Sequence, residues 1–402
     1  MKKNLFLLGL LTFVMSISFV SCGSDDEPQV NPNETDVTAA NLDYNASNAA
    51  GWGNYMQKVA ELLVEDATTL YNDWTVSYNG GESYAQSFIN HTGSNGYSSA
   101  MNCIDEIIEG CKTIANEVGS AKIGDPYTLY ISGRTIDALY AVESWYSWHS
   151  IDDYSNNIVS IRNAYFGSRD GSPATASIAT LVASKNASLD TEVRNKIRAA
   201  WNAIQSIPAP FRSHINSTEA KVAAEACADL YDCLNENLKP YLNSNASNGT
   251  ITEAELQPIV ENYVNVVVVP TYKELVEKNQ KLLDAVKAFR ISPSNSKFQA
   301  CASAWLAARE PWETSEAFLF GPVADKDLDP NMDSWPLDQK GITDIIKSGN
   351  FDALNWSGEY EEEAEEGPSS QHATDIANAQ SLRGFHTLEF LIFKDGKART
   401  VN

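Results

Sequence analysis

Apolar side chains at Val193, Ile197, Ala200, Trp201 and Ile204 recur every three or four positions until Pro208 and Pro210 break the pattern. Only a helix with one buried face satisfies that period. Asp190, just upstream, reads as its N-cap, and Ser217 opens a second such helix through Val222, Ala226, Leu230, Cys233 and Leu234 to Leu238, ahead of Pro240. Thr252-Glu253-Ala254-Glu255 has the capping-box pattern, which predicts a helix from near 253 toward Phe289. Within it, residues 264–269 are mostly β-branched and read as a buried strand on propensity alone. Helical signals flank that stretch and no comparable partner strand exists, so the expectation is a helix kinked at Pro270. No internal repeat is visible, which argues against a solenoid. The chain is therefore expected to be all-α. Residues 243–250 (NSNASNGT) are small and polar and read as a linker, dividing it into helical subdomains over 45–245 and 246–402.

The N-terminus carries a different signal. Met1-Lys2-Lys3 is followed by the mostly apolar residues 5–20 and then Ser21-Cys22, too short an apolar run for a membrane span. It resembles a bacterial lipoprotein signal peptide over 1–21 with Cys22 as the lipidated residue, and 22–44, rich in Pro, Asp and Asn near its start, then reads as a flexible tether. That implies a cell-envelope protein, lipid-anchored to the outer membrane and facing either the periplasm or the surface. The other five cysteines are an odd number, which argues against a disulfide framework and for buried small hydrophobes. A net charge of −24 with no separate basic patch argues against nucleic-acid partners and favours cations. The acidic run 359–366 (EYEEEAEE) reads as a solvated loop.

In Gly384-Phe385-His386-Thr387-Leu388-Glu389, His386 and Glu389 share one helix face at metal-ligand spacing, and the apolar residues around them predict burial. A buried carboxylate needs a partner. That partner is either a metal or Arg383, the latter with a hydrogen-bonded core histidine. Upstream, Trp305, Arg309, Trp312 and Glu316 fall on one helical face, with Pro311 between them and Arg309/Glu313 spaced as a surface ion pair. Asp325, Asp327, Asp329 and Asp333 suggest an oxygen-rich loop, but the EF-hand glycine and terminal glutamate are missing. The zinc-protease patterns HExxH and HxxEH are absent, as are the nucleophile elbow, the P-loop and GxGxxG.

Three segments in order, AWLAAREPWETSEAFLFGP (304–322), DSWPLD (333–338) and LRGFHTLEF (382–390), resemble the imelysin family, whose signature is G-x-H-x-x-E. ESWYSWHSIDDYSNNIVSIRNAYFG (143–167) is similar to the family's other half, with His149 departing from the usual aromatic. The signature half normally comes first, so the order here implies a circular permutant covering roughly 45–402. The resemblance implies two packed four-helix-bundle-like halves with a site between them. It would hold a metal at His386, Glu389, Glu316 and Asp333, with Arg309, Trp312, Glu313 and Gly384 beside it and Glu143, Ser144 and Trp145 approaching from the other half.

The leading expectation is an envelope protein binding iron, haem or another divalent metal, without catalysis, alongside iron-transport components. The first alternative is a metallopeptidase using Glu316 or Glu389 as base. The second is a glycan binder stacking sugars on Trp52, Trp74, Trp145 and Trp148, residues that core packing also explains.

Overall fold

Short polar side chains cap many of the described helices. A computed structural model describes residues 42–92, 96–354 and 378–401; the leader, most of the tether and the acidic run at 359–366 lie outside them. Ser217 accepts the N–H of Ala220 at 3.1 Å to open the Thr218–Asp232 helix. Thr252 and Glu255 form the expected capping box ahead of Glu253–Asn262. Ala187–Gln205 is capped by Asn186, not Asp190. The Asn186 amide oxygen reaches the Leu189 N–H at 3.2 Å, whereas Asp190 sits in the first turn, buried against Arg194 and Tyr165.

Three prolines that should have broken or kinked helices are absorbed another way. Residues 264–269 are helical as expected, and the chain runs as Glu253–Asn262, a π-helical turn Tyr263–Val268 and Val269–Ile291. Pro240 follows the π-turn Cys233–Leu238 and Pro126 follows the π-turn Val118–Gly124. A proline ring collides with the carbonyl four residues back. A widened turn takes up the extra residue and lets the helix pass through. The Pro240 rod therefore continues to Ser247, so residues 243–247 of the expected linker are helical and the connection begins at Asn248.

The helices gather into two groups. Ala49–Thr75, Val269–Ile291, Asn295–Glu313 and Gly384–Ile392 pack together, and Ala100–Glu117, Ser150–Phe166, Ala187–Gln205 and Thr218–Asp232 form the other group. Ala49–Thr75, from the expected 45–245 stretch, thus sits with helices of 246–402. The Ala49–Thr75 helix packs with the C-terminal helices because Trp52 donates to the Leu391 carbonyl (3.0 Å), Tyr55 to the Leu382 carbonyl (2.6 Å) and Asp66 pairs with Arg383 (2.6 Å). Asp43 likewise meets Lys394 and Arg399, so the two ends of the described chain adjoin. The all-α expectation holds apart from a two-stranded pair at 393–394 and 397–398. Cys103, Cys111, Cys227, Cys233 and Cys301 are free and buried. Among the described residues, no helix is long and apolar enough to cross a membrane.

Candidate functional site

Gly384 determines how closely the two sides of the site approach. It has φ +85°, and a Cβ there would stand 2.4 Å from the Met332 carbonyl oxygen. Glycine thus lets Gly384–Ile392 start directly against Leu328–Asp333, bringing His386 to Asp333. His386 is fully buried. Its Nδ1 lies 2.8 Å from Glu389 Oε2, and since a carboxylate only accepts, that nitrogen carries the proton. Glu389 Oε1 accepts both the N–H and the hydroxyl of Ser147, at 2.7 and 2.6 Å. Ser147 is presented by a turn in which Ser144 and Trp148 both have positive φ, 53° and 63°. Such strain is retained where surrounding structure enforces it, and it recurs at functional sites.

Across from His386 Nε2 stand Asp333 Oδ1 at 3.2 Å, Glu143 Oε1 at 3.4 Å and Arg309 Nη2 at 3.4 Å. Arg309, fully buried in the Asn295–Glu313 helix, bonds Glu143 Oε1 (2.6 Å), Asp153 Oδ2 (3.3 Å) and Asp333, and forms an ion pair with Glu313 Oε1 (2.5 Å). These carboxylates come from four separate stretches of chain. Trp312 Nε1 fixes the second Asp333 oxygen at 2.7 Å, Asn157 fixes Glu313 at 2.5 Å, and Ser144 donates to Asp153.

Beside this cluster lies a cavity of about 230 Å³ lined by Glu143, Glu316, Asp329, Asp333, Glu117, Lys122 and Trp335. Lys122 enters from the Val118–Gly124 π-turn, with Nζ 3.0 Å from Glu143 Oε2, 3.9 Å from Glu316 and 3.8 Å from Glu117.

Negative groups outnumber positive ones here, and the titration directions follow. Burial opposes the charge on Glu143, yet Lys122, then His386 and Arg309, pull it down to about 2. Asp333 is held well below the carboxylate range against its burial, chiefly by Arg309 and His386. Burial, with Asp333 and Glu117 adding repulsion, pushes Asp329 up to about 7. Burial likewise drives Glu313 and Glu316 well above their ordinary value despite Arg309 and Lys122 respectively. Burial and Arg309 oppose the His386 charge, but Asp333 and Glu143 hold its pKa well above the ordinary imidazole value. The resident cations satisfy part of the cluster, and the remaining carboxylates are driven to hold protons instead.

The donor set suits a metal ion. Ligand atoms of Glu143, Asp333 and His386 lie within 4.8 Å of one another, and so do those of Glu313, Glu316 and Asp333. Carboxylates with an imidazole match iron, manganese or zinc. The cavity is small beside the roughly 300–1,000 Å³ of sites that enclose organic ligands.

The structure brings His386, Asp333, Glu316, Arg309, Trp312, Glu313, Glu143 and Ser144 together. Glu389 adjoins them behind the imidazole, with its oxygens engaged by Ser147 and His386, and Glu143 stands on the open side instead. Arg383 pairs with Asp66, not with Glu389. The Asn295–Glu313 helix stops before Glu316, which sits in a 3-10 turn, and the Arg309/Glu313 pair is wholly buried instead of lying on the surface. Asp325 turns to Tyr78 and Asp327 precedes a short helix, leaving Asp329 and Asp333 at the cavity. Trp145 is core, stacked 4.3 Å from Arg212, and Trp52 and Trp74 are also fully buried, so none of the three is placed to stack on a sugar. Lys122, Glu117, Ser147, Asp153, Asn157 and Trp335 were missed. Pro126, four residues beyond Lys122, is the one local signal for the π-turn that carries it.

Comparison with known proteins gives concordant matches. The imelysin family profile (peptidase family M75) matches residues 26–239 and 268–402. A crystal structure described as an imelysin peptidase from Bacteroides ovatus is 55% identical, covers 91% of this chain and 100% of its own, and superposes with a TM-score of 0.85. The "Iron-regulated protein A" of Synechococcus elongatus is 34% identical over 83 residues, which is 21% of this chain and 23% of that protein. The match thus spans about a quarter of that relative's length.

Proposed function

This chain belongs to the imelysin family, and from that premise we propose that it is a cell-envelope protein that binds iron as a metal ion at the cavity between its helical groups. His386 Nε2, Glu143, Asp333 and Glu316 are the groups that would hold the ion, and Glu389 fixes the imidazole from behind. The observation that carries the reading is the excess of buried carboxylates around the cavity, which two resident cations and His386 leave uncompensated. The bound metal would supply positive charge that lets these groups ionise. The iron-related name of the Synechococcus elongatus relative agrees with it. Tethering through a lipid on Cys22 at the outer membrane, and delivery to iron-transport components, belong to the same proposal. The reading of the order of the halves as a circular permutation has support in the adjacency of Asp43 to Lys394 and Arg399.

Anaerobic Fe²⁺ and aerobic Mn²⁺ titrations of the purified protein test the proposal beside Glu143→Gln, Asp333→Asn and His386→Ala. Near-stoichiometric binding that each substitution weakens is expected. A wild type that binds neither ion would end it. A second reading, metal-assisted peptide hydrolysis, draws on the description of the Bacteroides ovatus structure. Cleavage of a peptide panel only after metal loading would favour it, and inert loaded protein would remove it.

A further inference from the structure

Lys122 is a cation already inside the cavity. Its ammonium lies 3.0 Å from one Glu143 oxygen and 3.9 Å from Glu316, two of the groups assigned above to the metal. Its position is built into the fold. Pro126 would clash with the Lys122 carbonyl in a regular helix, and the Val118–Gly124 turn widens to π geometry there. Gly119 lets that turn lie against the Thr218–Asp232 helix, where a Cβ would come within 2.9 Å of Cys227 Cβ and 3.1 Å of the Ala224 oxygen. A third carboxylate, Glu117, stands 3.8 Å from the same ammonium, and its side chain is 45% exposed against 9% for the lysine. The lysine thus has partners inside the cavity and another at the mouth, on a flexible four-carbon stem.

We propose that Lys122 is a displaceable internal counter-ion, so that the cavity admits a divalent or trivalent metal by exchanging it for the ammonium, which withdraws toward Glu117. This rests on the metal-binding reading above and adds its selectivity. Replacing a single positive charge by two or three gains electrostatic energy among the carboxylates, whereas replacing it by Na⁺ or K⁺ gains nothing. The site therefore excludes monovalent ions without a size filter.

The test is Mn²⁺ titration of wild type and Lys122→Met at constant ionic strength, once in NaCl and once in tetramethylammonium chloride. Lys122→Met removes the competitor, and Mn²⁺ is expected to bind roughly tenfold or more tighter. Its binding should also become sensitive to Na⁺, while wild type binds equally in both salts. Equal or weaker binding by Lys122→Met, with wild type still binding, overturns the counter-ion role and leaves the metal site standing. Absence of binding in both proteins overturns both. Should Lys122→Met not fold, amine acetylation of wild type read by mass spectrometry carries the test. Modification of Lys122 should rise when Mn²⁺ is added, and unchanged or reduced modification overturns the exchange.

Discussion

Ser147 donates its backbone N–H and its hydroxyl to the same oxygen of Glu389, although the two residues are 242 positions apart in the chain. With that oxygen fixed, the other one holds Nδ1–H of His386 and aims Nε2 at Asp333 and Glu143. Carboxylates behind ligating histidines set tautomer and orientation in this way.

Glu389→Gln keeps the shape but removes the charge behind His386. Mn²⁺ affinity is expected to fall by roughly 10–100-fold with little change in stoichiometry. Calorimetric titration reads this directly, and unchanged affinity would show that Glu389 only packs.

Arg309→Met leaves Glu143, Asp153, Glu313 and Asp333 facing one another without the guanidinium they share. Breaking a buried ion network in this way costs about 3–5 kcal/mol. Urea unfolding at neutral pH should report a loss in that range. Arg309→Lys should recover only part of it, because an ammonium cannot serve four carboxylates in the planar fork geometry.

Gly384→Ala places a Cβ 2.4 Å from the Met332 oxygen at a φ of +85°. Backbone strain of about 1–3 kcal/mol is expected. Relief requires His386 to move away from Asp333, so weaker Mn²⁺ binding should accompany the lower melting temperature. A variant as stable and as competent as wild type would disprove the close-approach argument.

Asp66 supplies a pH signature away from the cavity. Burial raises its pKa to about 6, against the opposing pull of Arg383. The folded state therefore binds a proton more readily than the unfolded chain. The resulting stabilisation is full below the unfolded value near 4 and is lost as pH rises through about 6. Comparing unfolding free energies of wild type and Asp66→Asn across pH 4–7, the variant should gain on wild type by roughly 2 kcal/mol as pH rises. A flat difference would show that Asp66 titrates normally.

Legibility in the sequence followed how local each cause was. Ser217, Thr252 and Glu255 act on N–H groups within three residues, so their caps could be read directly. The pairing of His386 with Glu389 follows from helix spacing in the same way. Residues 243–247 misled because polar composition marks exposure, and an exposed final helix turn has the same composition as a linker. Arg309 and Glu313 were legible as a pair but not as a buried one, since burial depends on Ser150–Phe166 and Leu328–Asp333 closing over them.

The sequence by itself determined a helical chain, buried unpaired cysteines, a G-x-H-x-x-E helix and the family it belongs to. Tertiary structure alone decided the electrostatics of the site. Glu143, Asp153, Glu313, Asp333 and Lys122 come from distant parts of the chain, and no periodicity encodes which of them share a cavity. Helical pattern is enforced by neighbours three and four residues away. The energy of a charge depends on which other charges and how much water lie within a few ångströms, and only packing sets that.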